Sequence, residues 1–91
     1  MEIKNEIREF VARQYLPDAS VETVTDTMPL ITSGIVDSIG MLGLVDFLEG
    51  RYEVEFMPRE VDVHSLDTIE SIEALIRAKL SVKSESDKIS R

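Results

Sequence analysis

The stretch Leu30-Ile31-Thr32-Ser33-Gly34-Ile35-Val36-Asp37-Ser38-Ile39-Gly40 is where a long loop gives way to a helix. Asp37 is a residue type that caps helices, because its short carboxylate accepts from an otherwise unpaired N–H of the first turn. Downstream, Met41, Val45, Leu48 and Tyr52 recur at intervals of four, three and four, which makes one apolar stripe. Leu44 widens that stripe and Leu42 lies on its flank. The second helix of the chain is therefore expected to begin near Ser38. Gly40, Gly43 and Gly50 stand out within it, since each glycine costs about 1 kcal/mol against alanine in a helix interior. Upstream, the segment from about Leu16 to Asp37 carries Thr, Asp, Ser, Pro and Gly with little periodicity. A loop longer than about 12–15 residues is uncommon in a compact domain and often functional. Leu30, Ile31, Ile35 and Val36 are expected to pin it to the core.

The rest of the chain reads as helix around this junction. Ile3, Ile7, Phe10, Val11 and Tyr15 share one face of a first helix, which Pro17 and Asp18 end. Glu53-Val54-Glu55-Phe56 alternates polar and apolar residues and is expected to be extended. Pro58 can open a short helical turn over Arg59 to Asp62. A last helix is expected from Asp67, with Asp67 and Glu70 at capping-box spacing and Ile69, Ile72, Ile76 and Leu80 on the core face. Residues 83–91 are polar and lack an apolar stripe, so a domain of residues 1–82 followed by a disordered tail is expected. The fold class is all-α, a four-helix bundle of three main helices and one short one. There are no internal repeats.

Composition narrows the function. With 91 residues there is one modest core and no room for a deep enzyme cleft. Asp and Glu number 18 against 10 Lys and Arg, a formal net charge of -8. Such a surface repels phosphate backbones and anionic membranes, so neither nucleic acid nor membrane is an expected partner. It attracts proteins with basic patches. There is no cysteine, hence no disulfide, no thiolate metal site and no thiol nucleophile of the protein's own. The start, Met1-Glu2-Ile3-Lys4-Asn5-Glu6, lacks the apolar core of a signal peptide. No stretch approaches the roughly 20 apolar residues of a membrane span. A cytoplasmic monomer is expected.

The Gly34 loop, the Asp37-Ser38-Ile39 triplet at a helix start, the acidic balance and the length together make a pattern. It resembles the acyl carrier protein family, with Ile39 where Leu is commoner in that triplet. The resemblance covers about residues 2 to 81. It implies that Ser38 is the attachment point of 4'-phosphopantetheine, joined by a separate phosphopantetheinyl transferase. The arm's thiol then holds acyl or aminoacyl cargo as a thioester, for a loading enzyme and an acceptor transferase. The protein itself is implied to catalyse nothing. The lack of cysteine fits this division of labour. A phosphodiester on Ser38 would also lie near the unpaired N–H groups and positive end of the second helix, an aid worth about 0.3–1 kcal/mol at an exposed site.

Each residue also has a plainer reading. A lone serine before a helix is most often only a helix-start residue, and it is the whole pattern that reverses those odds. Ser38 as a hydrolytic nucleophile would need a base and an oxyanion hole. The sole histidine is His64, a loop residue on this reading, and the flanking residues are not Gly-x-Ser-x-Gly. Asp37 serves as N-cap and, by the resemblance, also contributes to the transferase site and its metal. Ile39 is expected to be exposed beside the arm as a partner contact, with Leu42 either a second contact or core. Glu49 and Glu60, with Val61, are further candidate partner contacts, and Glu49, Glu53, Glu60 and Asp62 a candidate acidic docking face. A solvated surface is the default for any one of these charges. No metal site is expected: an EF-hand run is missing, and Asp46 with Glu49 alone makes a poor ligand set. The competing function is an unmodified acidic adaptor of the same fold.

The resemblance has a gap. Carriers of bacterial fatty acid synthesis usually hold carboxylates two, five, eleven and twelve residues after the modified serine. Here those positions are Gly40, Gly43, Glu49 and Gly50. Asp46 stands where that group often has an apolar contact. The sequence therefore looks more like the stand-alone carriers of dedicated pathways.

Overall fold

The computed structural model describes the backbone of residues 3–89 and side chains through position 82. Met1 and Glu2 at the start, and Ser90 and Arg91 at the end of the expected tail, lie outside the described residues. Four α-helices follow in order: α1 Ile3–Tyr15, α2 Ser38–Tyr52, α3 Val63–Leu66 and α4 Ile69–Ile89. Two 3-10 turns, Val21–Thr23 and Pro58–Glu60, sit in the connections, and the described residues include no strand. This is the all-α bundle of three main helices and one short one expected from the sequence.

The core forms where the apolar stripes meet. Ile3, Ile7 and Val11 of α1 are buried at helical spacing, together with Ala12. Phe10 and Tyr15 lean against the core from the side. α2 contributes Leu44, Val45, Leu48 and Tyr52, and α4 contributes Ile69, Ile72 and Ile76, with Leu80 half-buried. Met41 is half-buried, so Leu44 takes the more central place in the stripe. A fully buried Val, Leu or Ile contributes about 1.5–3 kcal/mol relative to leaving it in water.

The long loop between α1 and α2 is fixed in three ways. Leu30 and Val36 are fully buried, as expected, and Val24 joins them. Asp26 binds Lys4 at 3.1 Å and the Arg8 guanidinium, tying the loop to α1, while its carbonyl accepts from Glu70 N at 3.0 Å at the start of α4. The loop's far end is held by Asp67, whose carbonyl accepts from Leu30 N at 2.6 Å. Gly34, at φ +90°, makes the left-handed turn that an L side chain resists.

Three boundaries differ from the sequence reading. The turn after Pro58 stops at Glu60, and a separate helix, α3, begins after Asp62, whose carboxylate accepts from Ser65 N at 2.9 Å. α4 starts at Ile69 rather than Asp67, because Thr68 and Ser71 make the reciprocal cap: Ser71 N donates to Thr68 Oγ1 at 3.1 Å and Thr68 N to Ser71 Oγ at 3.4 Å. Asp67 is occupied with the loop instead. Finally, α4 stays helical to Ile89, through most of the stretch read as a disordered tail. Once a helix is nucleated by its buried face, each further residue adds a backbone bond at little extra cost.

Candidate functional site

Ser38 is the first residue of α2, and its side chain is exposed. The turn that carries it is fixed by three bonds. Asp37, in extended conformation, accepts from Gly40 N through Oδ1 at 2.7 Å. Its carbonyl accepts from Met41 N at 2.8 Å, the first bond of the helix. From the other side, the Tyr15 hydroxyl at the end of α1 donates to Gly40 O at 2.6 Å. Asp37 is thus the expected N-cap.

The next two turns of α2 carry an apolar strip. Ile39 is 80% exposed and Leu42 59% exposed, so Leu42 belongs to the surface rather than the core. They lie three residues apart and share a face. Ser38 and Leu42, four apart, are neighbours on the same helix surface.

The other expected contacts are not gathered here. Glu49 is half-buried, and its Oε2 accepts from Phe56 N at 2.9 Å, which ties the segment after α2 back to the helix; Glu53, read as extended, is instead the left-handed C-cap of α2 at φ 55°. Glu60 Oε1 accepts from Lys79 Nζ at 2.7 Å and from Met57 N at 2.7 Å. The Lys79 bond first, and the Met57 amide second, hold its carboxyl below the ordinary value. Val61 is half-buried against the core. Asp62 caps α3. Glu49, Glu60 and Asp62, read as part of a docking face, therefore have structural partners within the chain. His64 is exposed on α3, and the Ser38 hydroxyl joins no side-chain hydrogen bond among the described residues. Among those residues no group of three or more His, Asp or Glu is placed to hold a metal, and no helix is long and apolar enough to cross a membrane.

The roles of two residues escaped the sequence reading. Tyr15 was expected only as a core residue. Asp67 was expected to cap α4, but its Oδ1 accepts from Ile31 N at 2.7 Å and Thr32 N at 3.0 Å, and its Oδ2 from Thr32 Oγ1 at 3.0 Å. Burial alone would raise the Asp67 carboxyl. The Thr32 and Ile31 donors outweigh it and hold the group below its ordinary value. No sequence signal pairs positions so far apart.

Chemically, the arrangement offers one accessible hydroxyl at a helix N-terminus, next to an apolar strip, in a chain without a thiol. An exposed hydroxyl at this position is open to covalent attachment of a group from solvent. Among solved structures, the chain is similar to KstB-PCP in its apo form, a peptidyl carrier protein, at 28% identity over 79% of each chain with a TM-score of 0.59. That likeness supports the carrier-protein family indicated by the sequence. No family model matches the sequence, and no curated protein matches it.

Proposed function

We propose that this protein is a carrier that holds acyl or aminoacyl cargo as a thioester on a 4'-phosphopantetheine arm at Ser38, within a dedicated biosynthetic pathway. The observation that carries the reading is the exposed Ser38 hydroxyl at the first position of α2, held by the Asp37 cap within a carrier-type bundle. In the loading reaction Ser38 Oγ attacks the pyrophosphate phosphorus of coenzyme A nearer the pantetheine. The O–P bond to Ser38 forms as the bond to adenosine 3',5'-bisphosphate breaks. The leaving group takes the electron pair, and the serine proton passes to a base of the transferase. When bound, the arm supplies the thiol that carries cargo. The protein's own residues place the hydroxyl and offer Ile39 and Leu42 to whichever enzyme approaches.

The likeness to a peptidyl carrier protein favours aminoacyl cargo over the acyl chains of fatty acid synthesis. The neutral Gly40 and Gly43 point the same way. Partners on this reading are a phosphopantetheinyl transferase, a loading enzyme and an acceptor transferase, met by a monomer in the cytoplasm. The test is intact-mass measurement after incubation with coenzyme A and a broad-specificity phosphopantetheinyl transferase. A gain of one phosphopantetheine group, lost in Ser38→Ala, is the expected result. No gain by the wild-type chain would turn the reading toward an unmodified adaptor.

A further inference from the structure

The turn that bears Ser38 is intrinsically weak. Gly40 and Gly43 fall within the first six residues of α2, and glycine gives up more backbone freedom on entering a helix than any other residue. The structure nevertheless fixes both polar groups of Gly40 from outside the helix ladder. Its N–H is taken by Asp37 Oδ1 at 2.7 Å and its C=O by the Tyr15 hydroxyl at 2.6 Å. A side chain between them would be crowded. A Cβ on Gly40 would lie 3.0 Å from Tyr15 Cε1, 3.2 Å from Asp37 Oδ1 and 3.2 Å from Val36 Cγ1. A Cβ on Gly43, one turn on, would lie 3.3 Å from the Tyr15 hydroxyl oxygen.

Tyr15 is itself held. Its ring meets Phe10 edge-on at 6.0 Å, and Phe10 stacks on Phe47 of α2 at 4.1 Å. A run of three aromatic rings thus leads from the middle of α2 across α1 and back to the first turn of α2. Burial first, and the negative charge of Asp37 second, push the Tyr15 hydroxyl above its ordinary value, so it remains a donor at neutral pH.

We infer that Tyr15 is the positioning residue of the modification site: its hydroxyl and ring hold the glycine-weakened first turn of α2, and with it Ser38, in the conformation that the transferase accepts. The inference rests on the carrier reading of Ser38 and names the part of the chain that makes Ser38 competent. Without the clamp, α2 frays at its N-terminus and only a fraction of molecules present Ser38 correctly. A fractional population of the competent state raises the apparent dissociation constant in proportion and leaves the bound complex unchanged.

The test is Tyr15→Phe, which keeps the ring and removes the donor. Steady-state arm transfer with coenzyme A should show KM for the carrier raised roughly 3- to 10-fold, the range of one net hydrogen bond, with kcat unchanged. Amide hydrogen exchange at Ile39, Gly40 and Met41 should quicken by a similar factor, while that at Leu44 to Leu48 stays at the wild-type value. A loss that was only one of general stability would raise exchange throughout α2 and leave KM as it was. Gly40→Ala gives a second approach from the opposite side of the same contact. It should also raise KM, and adding Tyr15→Phe to the same chain should raise KM by less than the product of the two single effects, because both changes act on one contact. A wild-type chain that takes up no arm would overturn the carrier reading. A wild-type chain that is modified, with Tyr15→Phe equal to it in KM and in exchange, would overturn this inference alone.

Discussion

At the scale of single residues, the glycines of α2 have different reasons for being there. Gly40 has Tyr15, Asp37 and Val36 around the place where a Cβ would stand, whereas Gly50 has nothing within 4 Å. The same substitution should therefore have opposite signs. Gly50→Ala should stabilise by about 0.5–1 kcal/mol through helix propensity alone. Gly40→Ala should destabilise by about 1–2 kcal/mol, because crowding of a fixed ring exceeds the propensity gain. Urea unfolding of the two variants checks both, and a stabilising Gly40→Ala would show that Tyr15 yields. Ile39 tests recognition rather than folding. At 80% exposure, Ile39→Asp should change stability by no more than about 0.5 kcal/mol. In an apolar partner surface the same carboxylate would be unpaired and costly. Transfer efficiency with the broad-specificity transferase should fall at least about tenfold, and equal efficiency would remove Ile39 from the contact.

At the scale of elements, the joints of the fold are made by carboxylates. Asp67 holds the loop residues Ile31 and Thr32, and its folded-state value lies below the roughly 3.9 of an unfolded aspartate. Its contribution is therefore present above about pH 4 and is lost as pH falls through the lower folded value, since the unfolded chain binds the proton more readily there. Asp67→Asn should lower stability at pH 7 by about 1 kcal/mol and unfold with a flatter acid dependence below about pH 4. Equal slopes for the two proteins would mean that Asp67 does not titrate with unfolding. The helices themselves were legible in the sequence, because Ile7, Val11, Leu44, Leu48, Ile72 and Ile76 keep a period that only a buried helix face requires. Asp37 was legible as a cap because a cap acts within three residues of its partner. The joints were not legible, since Asp67 and Thr32, or Tyr15 and Gly40, meet only after the bundle has closed. Asp67 also had a local alternative, the capping box with Glu70, which the Thr68–Ser71 pair one residue further on displaced. The reach of α4 to Ile89 escaped for a related reason: an apolar stripe marks where a helix is buried, not where its hydrogen bonds stop. Truncation after Val82 should reduce the total helical signal by circular dichroism while leaving the melting temperature within about 2 °C, as the core-facing residues end at Leu80. A larger fall would show that the last turns support the bundle.

At the scale of the whole molecule, a net charge of -8 gives attraction at long range to any basic partner, while Gly40 and Gly43 leave the first turns of α2 neutral at close range. A partner that selects its carrier by pairing Lys and Arg with carboxylates on this helix should discriminate against the protein. Offered a malonyl transferase of fatty acid synthesis, the arm-bearing protein should react with roughly tenfold or lower efficiency than that pathway's own carrier. Gly43→Glu with Gly50→Glu should recover part of the difference, and Gly40 is left alone because Tyr15 occupies its side-chain space. Comparable efficiency at the outset would refute this selectivity. Shape has a separate consequence. The 21 residues of α4 span about 31 Å and draw the molecule out to 47 × 28 × 19 Å, with a radius of gyration of 13.5 Å against about 12 Å for a rounded domain of this length. A rod-like body drags more solvent than a sphere of equal mass. Gel filtration calibrated with spherical standards will thus place the 10.3 kDa chain too early, at an apparent mass roughly a third above its own. Sedimentation equilibrium, which is blind to friction, should return the mass of one chain.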